Sequence, residues 1–432
     1  MEPGIIALIA VIVLFIIMFL GLPIGFAMAL MGFVGVSLIA SPGAGLSILG
    51  NKPYTTAASY ELSVIPLFIF MGLIASQAGM ITDAYQAFHK WFGRMPAGLA
   101  NATIAACAAF AAVTGSSVAG AAVMSRVSLP EMLKNGYDRR LATGTVAAGG
   151  TLGILIPPSG PMILYGVMTE TSIGKLFIAG IIPGILLSLL FIVQIIIQAK
   201  LNPTLAPPGP KATWNERISS LKGVVAILVL FLFVIGGIYL GVFTPTEAGA
   251  IGAFGALVIA IIKRGLTKKG LSKSITETIQ TTGMIFVILI GAFILNYLMV
   301  LSKFPTLLSD FLSAIHMSRY IIFIVIMLIY LFLGCLMNAI AMILLTMPIF
   351  FPVISNLGFD PVWFGIVCIL QMELASITPP VGMNVFIVAG ASDVPMYDVF
   401  IGAAPFVVTM IIMLVLMTVF PQIVLVLPNT MK

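Results

Sequence analysis

The sequence predicts an all-helical polytopic membrane protein built from two inverted repeats, each with a re-entrant hairpin and a broken helix. Three observations carry this. The 432-residue chain is 61% hydrophobic and 8% charged, with a mean hydropathy of +1.20. That excludes an ordinary soluble domain and a disordered chain. Apolar runs long enough to cross a bilayer recur along its whole length. A proline pair also occurs twice inside such runs, at Pro157-Pro158 and Pro379-Pro380, 222 residues apart. At the same offset Pro130 matches Pro352, Gly160 matches Gly382 and Pro183 matches Pro405. Proline removes an N–H and disfavours helix in the residue before it. In lipid, the backbone groups so freed need protein, water or an ion as partner.

The elements follow in order. Spanning helices are predicted at Gly4–Leu20, Pro23–Ile39 and Ser63–Met80. The first lacks a basic flank and is read as a retained helix, not a cleaved signal. Thr82–Phe92 is amphipathic. Leu99–Val113 and Val118–Met132 are too short to span comfortably and form a hairpin, 99–132, around Thr114-Gly115-Ser116-Ser117. A segment over 140–168 is broken near Pro157, and Ile173–Lys200 spans. The polar linker 201–221 carries Pro203, Pro207, Pro208 and Pro210. Helices at Lys222–Leu240 and Thr246–Ile262 and a basic loop, Lys263–Lys273, complete a scaffold block over 222–273. The order then repeats: Thr281–Leu301 spans, Pro305–Ile315 is amphipathic, and a hairpin over 320–353 turns at Gly334–Asn338. A segment over 361–388 breaks at Pro379, and Val399–Leu427 closes the chain. The expected organisation is therefore N-terminal scaffold helices at 1–60, a first repeat at 61–200, the linker, the second scaffold block and a second repeat at 274–432.

Five crossings and one hairpin per half give the halves opposite orientation, the pattern of inverted-repeat secondary transporters. Charge agrees. With the N-terminus outside, the inner face collects 15 Lys and Arg, including Lys90, Arg126, Arg139, Arg140, Lys211 and Lys263. The outer face collects 5: Lys52, Lys175, Lys303, Arg319 and Lys432. This is the positive-inside pattern. The formal charge of +6 reflects topology, since no basic cluster interleaves with aromatics as nucleic-acid binding requires.

The chemistry concentrates at the hairpin tips and breaks. Thr114–Ser117 and the Gly149–Gly153 run before the first proline pair offer hydroxyls and backbone carbonyls to a hard monovalent cation, sodium by ligand type. Small residues there also let helices approach closely. In the second half the tip Gly334–Asn338 faces Ala375–Gly382. Asn338 falls at the 222 offset from Ser116, so both are expected to face one substrate, with Asn384 a further candidate. Asn338 also suits an interhelical hydrogen bond. Glu373 and Gln371 are intramembrane polar residues on the helix leading to Thr378, where Glu373 could neutralise a cation, meet a basic partner or sit near water beside the break. Glu61 and Glu247 lie at helix starts and read as structural, Glu247 by its favourable place in a first turn.

Other classes fare worse. Cys107, Cys335 and Cys368 show no metal or disulfide spacing. No phosphate loop or His-Glu-x-x-His motif occurs, and no metal beyond sodium and no organic cofactor is expected. A serine hydrolase using Ser116 or Ser117 needs a base nearby, and His89 and His316 lie near segment ends, where they read as interfacial. A passive scaffold needs no paired breaks.

The motifs GGTLGILIPPSG (149–160), TPTEAG (244–249), MPIFFP (347–352) and ITPPVGMN (377–384), in this order, resemble the large membrane subunit of tripartite ATP-independent periplasmic (TRAP) transporters, of the ion-transporter superfamily. The resemblance spans nearly the whole chain. It implies an elevator mechanism and a bacterial inner-membrane location. It also implies a four-helix membrane subunit and a periplasmic binding protein that delivers an organic acid, with sodium as coupling ion. No helix precedes Met1, so the small subunit is expected as a separate chain. By position, one sodium site uses Thr114, Ser117, Gly153, Ile156 and Pro157, and the other Gly334, Ala375, Thr378 and Val381, many through carbonyls. Family members resembling this chain can carry an acid near Asn338 and glycine at the position of Ala375. C4-dicarboxylates, sugar acids, keto acids and sialic acid are all compatible substrates. A self-sufficient carboxylate carrier of the same superfamily is the alternative.

Overall fold

The computed structural model describes residues 2–207, 209, 212–314 and 318–431, without the side chains of 311–314. His316, Lys211 and Lys432 of the expectations above lie outside the described residues, as do Pro208, Pro210 and Ile315. No strand occurs among those described.

The first half opens with α1 (Pro3–Phe19), α2 (Ile24–Ile39), α3 (Pro42–Ala57), α4 (Val64–Gln77) and α5 (Met80–Phe92). The hairpin follows as α6 (Gly98–Thr114), α7 (Ser117–Val127) and α8 (Leu129–Lys134). The broken segment is α9 (Arg139–Leu155) and α10 (Gly160–Thr169), and α11 (Ile173–Leu201) leaves it. After α12 (Trp214–Ser220) come α13 (Lys222–Tyr239), α14 (Pro245–Ile262) and α15 (Lys268–Ser302). The second half continues with α16 (Phe304–Ala314), α17 (Arg319–Gly334) and α18 (Ala339–Asn356). It closes with α19 (Pro361–Ser376), α20 (Met383–Gly390), α21 (Met396–Val419) and α22 (Gln422–Asn429). Among the described residues six helices are long and apolar enough to cross a membrane, or up to eight if two bent pairs each count as one span.

Several boundaries differ from expectation for identifiable reasons. Residues 42–57, given no element by the sequence, form α3: Ser41 Oγ accepts from Ala44 N at 3.2 Å, and Pro42 occupies the first turn, where its missing N–H costs nothing. The arm expected as Val118–Met132 splits into α7 and α8 at Ser128, two residues before Pro130. Half of the basic loop Lys263–Lys273 is helical, because Thr267 Oγ1 accepts from Gly270 N at 3.0 Å and starts α15 there. Val399–Leu427 is two helices, parted at Phe420-Pro421. Glu61 lies in a 3₁₀ turn before α4. Glu247 completes a capping box: its Oε2 accepts from Thr244 N at 2.8 Å, and Thr244 Oγ1 accepts from Glu247 N at 3.3 Å.

Two kinds of packing matter for the site. The pair α2 and α15 meets through glycine. A Cβ at Gly32 would lie 2.7 Å from the Ile294 carbonyl carbon, and one at Gly25 2.8 Å from the Val287 oxygen. Lipid supplies no hydrophobic drive between helices, so such close backbone approach is what holds them. The broken segments, in turn, run in opposite directions. Arg140 Nε donates to Asp398 Oδ1 at 2.8 Å, placing the start of α9 beside the start of α21, just after α20 ends. Tyr165 OH donates to Pro361 O at 2.7 Å, placing α10 beside the start of α19. Trp363 Nε1 donates to Met417 O at 2.8 Å, so the start of α19 lies with the end of α21.

Candidate functional site

The site is built by helix ends. Ser116 Oγ accepts from Ala119 N at 3.3 Å and starts α7. Its counterpart 222 residues on, Asn338, accepts through Oδ1 from Ala341 N at 2.8 Å and starts α18. Asp138 and Asp360, again 222 apart, start α9 and α19: Asp138 Oδ1 accepts from Arg140 N at 2.9 Å, and Asp360 Oδ1 from Trp363 N at 2.9 Å. Side-chain oxygens thus hold these termini at matching points of both halves. Both proline pairs are cis.

Each tip presses on a break. Gly115, at φ +59°, adopts a left-handed conformation that a side chain disfavours, and an added Cβ would collide with the Pro158 oxygen. A Cβ at Gly153 would lie 2.5 Å from Ser116 O and 2.7 Å from Ser117 N. Thr114, whose Oγ1 donates to Phe110 O at 3.1 Å, and Ser117 belong to the same tip. Ile156 is buried and extended (φ −85°, ψ 125°), with Gly180 and Gly184 of α11 against the break: Cβ atoms there would lie 2.6 Å from Leu155 O and against Ile156. Thr114, Ser117, Gly153, Ile156 and Pro157 are therefore neighbours around one tip and break.

The second tip repeats the arrangement. A Cβ at Gly334 would lie 2.6 Å from the Ala375 Cβ, and Cys335 Sγ donates to Pro379 O at 3.2 Å. Thr378 Oγ1 donates to Leu374 O at 2.6 Å, and Val381, 38% exposed, follows the break. Gln371, buried on α19, donates through Nε2 to Met327 O at 2.9 Å and ties α19 to α17.

Both tips open on one cavity of about 420 Å³. Ser116, Asn338 and Thr114 line it from the tips, Phe68 and Ile69 from α4, and Thr281 and Met284 from α15. Among the described residues no Lys, Arg or His lines it. Helices α7, α10 and α18 start at Ser117, Gly160 and Ala339 on its wall, so three helix N-termini, with their favourable dipole ends, border it. Asn384 is not among the lining residues. It is fully buried, beside Glu373. The sequence reading missed Thr281, Ser76 and Gly160 on this wall, and the matched caps Asp138 and Asp360. The 222 offset, applied to residues that cap helices, reveals the caps. Nothing in the pattern marks Thr281.

His89 sits apart, at the surface end of the hairpin, 3.2 Å from Glu131 Oε1. It is no base for Ser116 or Ser117. Its ring, hydrogen-bonded to Glu131, holds that carboxyl below the usual carboxylate range, against the opposing pull of partial burial. Among the described residues no group of three His, Cys, Asp or Glu is placed to hold a metal.

The model of the family "Tripartite ATP-independent periplasmic transporter, DctM component" matches residues 11–423. The chain is 34% identical over 382 residues to the C4-dicarboxylate TRAP transporter large permease protein DctM of Pseudomonas aeruginosa, covering 88% of this chain and 89% of that one. It is 32% identical over 417 residues to the sialic acid TRAP transporter large permease protein SiaM of Vibrio cholerae, covering 96% of each. Among solved structures, the Alcanivorax borkumensis YdaH transporter superposes with a TM-score of 0.64 at 15% identity, over 88% of this chain and 89% of that one. That likeness concerns the fold alone.

Proposed function

The chain belongs to the DctM component family of the tripartite ATP-independent periplasmic transporters, and from that premise we propose that it imports a small organic acid driven by sodium. It is a multi-pass membrane permease component, and its relatives are permeases, not enzymes. The proposed location is a bacterial inner membrane. The proposed partners are a small four-helix membrane subunit and a periplasmic binding protein that hands over the acid, a C4-dicarboxylate, sugar acid or similar.

One observation carries the reading: two capped hairpin tips, matched at 222 residues, meet at one cavity that has helix N-termini but no basic side chain on its wall. Helix N-termini bind carboxylates through N–H groups and dipole. Ser116 and Asn338 are the proposed substrate contacts. Asn384, buried away from the wall, is not. Carbonyls and hydroxyls around Thr114, Ser117, Gly153, Ile156 and Pro157, and around Gly334, Ala375, Thr378 and Val381, form two proposed sodium sites. The opposed directions of α9–α10 and α19–α20 support inverted repeats, and the tips with their breaks are the proposed moving body of an elevator.

The test is thermal unfolding of the chain purified with its small partner, in sodium against choline or potassium at equal ionic strength. A ligand that binds only the folded state raises stability by mass action. A sodium-specific rise, weakened by Thr114→Ala, Ser117→Ala and Thr378→Ala, is expected. Uptake into proteoliposomes, with and without the binding protein, then separates this reading from a self-sufficient carrier. Indifference to sodium at high concentration would falsify the coupling.

A further inference from the structure

The binding reading leaves one buried group unexplained. Glu373 is 1% exposed on α19, three residues before the end of that half-helix. The Ser376 hydroxyl donates to the Glu373 carbonyl at 2.7 Å and lies 3.3 Å from Oε2. Ser117, at the first hairpin tip, and Asn384, just past the second break, lie against the same carboxyl. None of the ion pairs among the described residues includes Glu373. An ionised carboxylate taken out of water needs a positive partner. A second observation points the same way. Asn384 is 0% exposed, and neither its Oδ1 nor its Nδ2 has a hydrogen-bond partner. Buried amides are otherwise nearly always satisfied.

We propose that Glu373 is the anionic ligand of a further monovalent-cation site, completed by the Ser117 and Ser376 hydroxyls and the Asn384 amide oxygen. The ligand set is all oxygen with one formal negative charge, which suits sodium and balances it. The site differs from the two hairpin sites in carrying that charge. It also joins the halves: α20 packs on α7 and α9, so a cation there holds the first tip to the second break. Ser117 serves both regions, its backbone facing the tip and its hydroxyl facing Glu373.

The experiment follows thermal unfolding of the complex with its small subunit against sodium chloride concentration, with choline keeping ionic strength constant. Wild type is compared with Glu373→Gln and Asn384→Ala. Glutamine keeps the shape and still accepts from Ser376. The expected result is a sodium half-saturation raised about tenfold or more in both variants, with Glu373→Gln at least as stable as wild type in choline alone. Asn384→Ala keeps the test open if the glutamine variant fails to fold, because an amide without partners loses no hydrogen bond on removal. Wild-type sodium dependence in the variants overturns the site and leaves the hairpin sites standing. The site is equally overturned if wild type is stabilised by acidification in choline, with its sodium response unchanged by either substitution, which makes the occupant a proton. A wild-type protein indifferent to sodium overturns this proposal and the coupling together.

Discussion

Gly153→Ala adds one methyl group where the first broken helix touches the hairpin tip. The added carbon would lie 2.5 Å from Ser116 O, while ordinary contact begins at 3.4 Å. Tip and helix must therefore part by up to 0.9 Å, the difference of those two distances. Overpacking of this kind costs about 1–3 kcal/mol. A preorganised site tolerates displacements of only about 0.5 Å. If carbonyls and hydroxyls of this tip hold sodium, the variant needs roughly tenfold more of it, equal to about 1.4 kcal/mol of binding. The assay is half-saturation of sodium-dependent thermal stabilisation, with sodium-driven uptake as second readout. Gly283→Ala on α15 is the control: nothing lies within 4 Å of its added carbon, and alanine favours a helix interior by about 0.5–1 kcal/mol. A Gly153→Ala protein that folds and binds sodium as wild type does would refute the assignment of this tip as a cation site.

Three other substitutions probe separate parts of the fold. Gln371→Leu removes the hydrogen bond to Met327 O and should lower stability by about 0.6 kcal/mol, and no more than about 1.7, a loss read by denaturation in detergent that leaves sodium half-saturation unchanged. Glu131, with its carboxyl held below the usual range by His89, adds stability that is full above its unfolded value near 4.5 and is lost as pH falls through its lower folded value. The stability gap between wild type and Glu131→Gln should hold above pH 5 and close at lower pH, and a gap independent of pH counts against the pair. Arg140→Cys and Asp398→Cys should react with an impermeant thiol reagent from the same membrane side, and Glu170→Cys from the other. The native cysteines Cys107, Cys335 and Cys368 are buried and give little background. Labelling of Arg140→Cys and Asp398→Cys from opposite sides would contradict the antiparallel arrangement.

Much of this architecture was legible because proline and hydropathy are local signals. The doubled proline pair located both breaks, and small hydroxylic residues located the first tip. Ser116 and Asn338 were matched by offset alone, and the structure brings both to one cavity wall. What escaped depends on long-range contact or on weak local signals. Helix α3 contains Gly43, Gly45, Gly50 and Pro53, which argue against a helix by propensity, but a serine cap and contact with α2 and α15 override that. The break at Phe420-Pro421 lies in an otherwise continuous apolar run, where hydropathy cannot show a bend. That Asn384 lies off the cavity wall was not legible, because its spacing from Pro380 says it follows the break but not which way it faces. Glu373 was noticed as an intramembrane acid, yet its neighbour Ser117 is 256 positions away in the chain, beyond any local pattern.

The two sides of the cavity differ in a way that bears on how cargo moves. The hairpin side offers Ser116, Asn338, Thr114 and three helix starts, while α4 and α15 present mostly apolar residues, Ile65, Phe68, Ile69 and Met284 among them, with Ser76 and Thr281 as polar exceptions. A substrate held there takes its polar contacts mostly from elements whose backbones are locked together, since tip one presses on Pro158 and Gly153, and tip two on Ala375 and Pro379. A shift of either tip toward its break would therefore be resisted by close contact. The apolar wall offers few groups to which a carboxylate could bond, so sliding past it breaks few hydrogen bonds. On the frame side, glycine contacts between α2 and α15 make a pair as close as helices allow. The proposed elevator motion fits this arrangement, with the tips and their breaks on one side and the α2–α15 pair on the other. The charge of the cargo fits the same picture. Each helix start contributes roughly half a positive charge, and the proposed cation sites beside the tips would add to the compensation an anion needs to leave water.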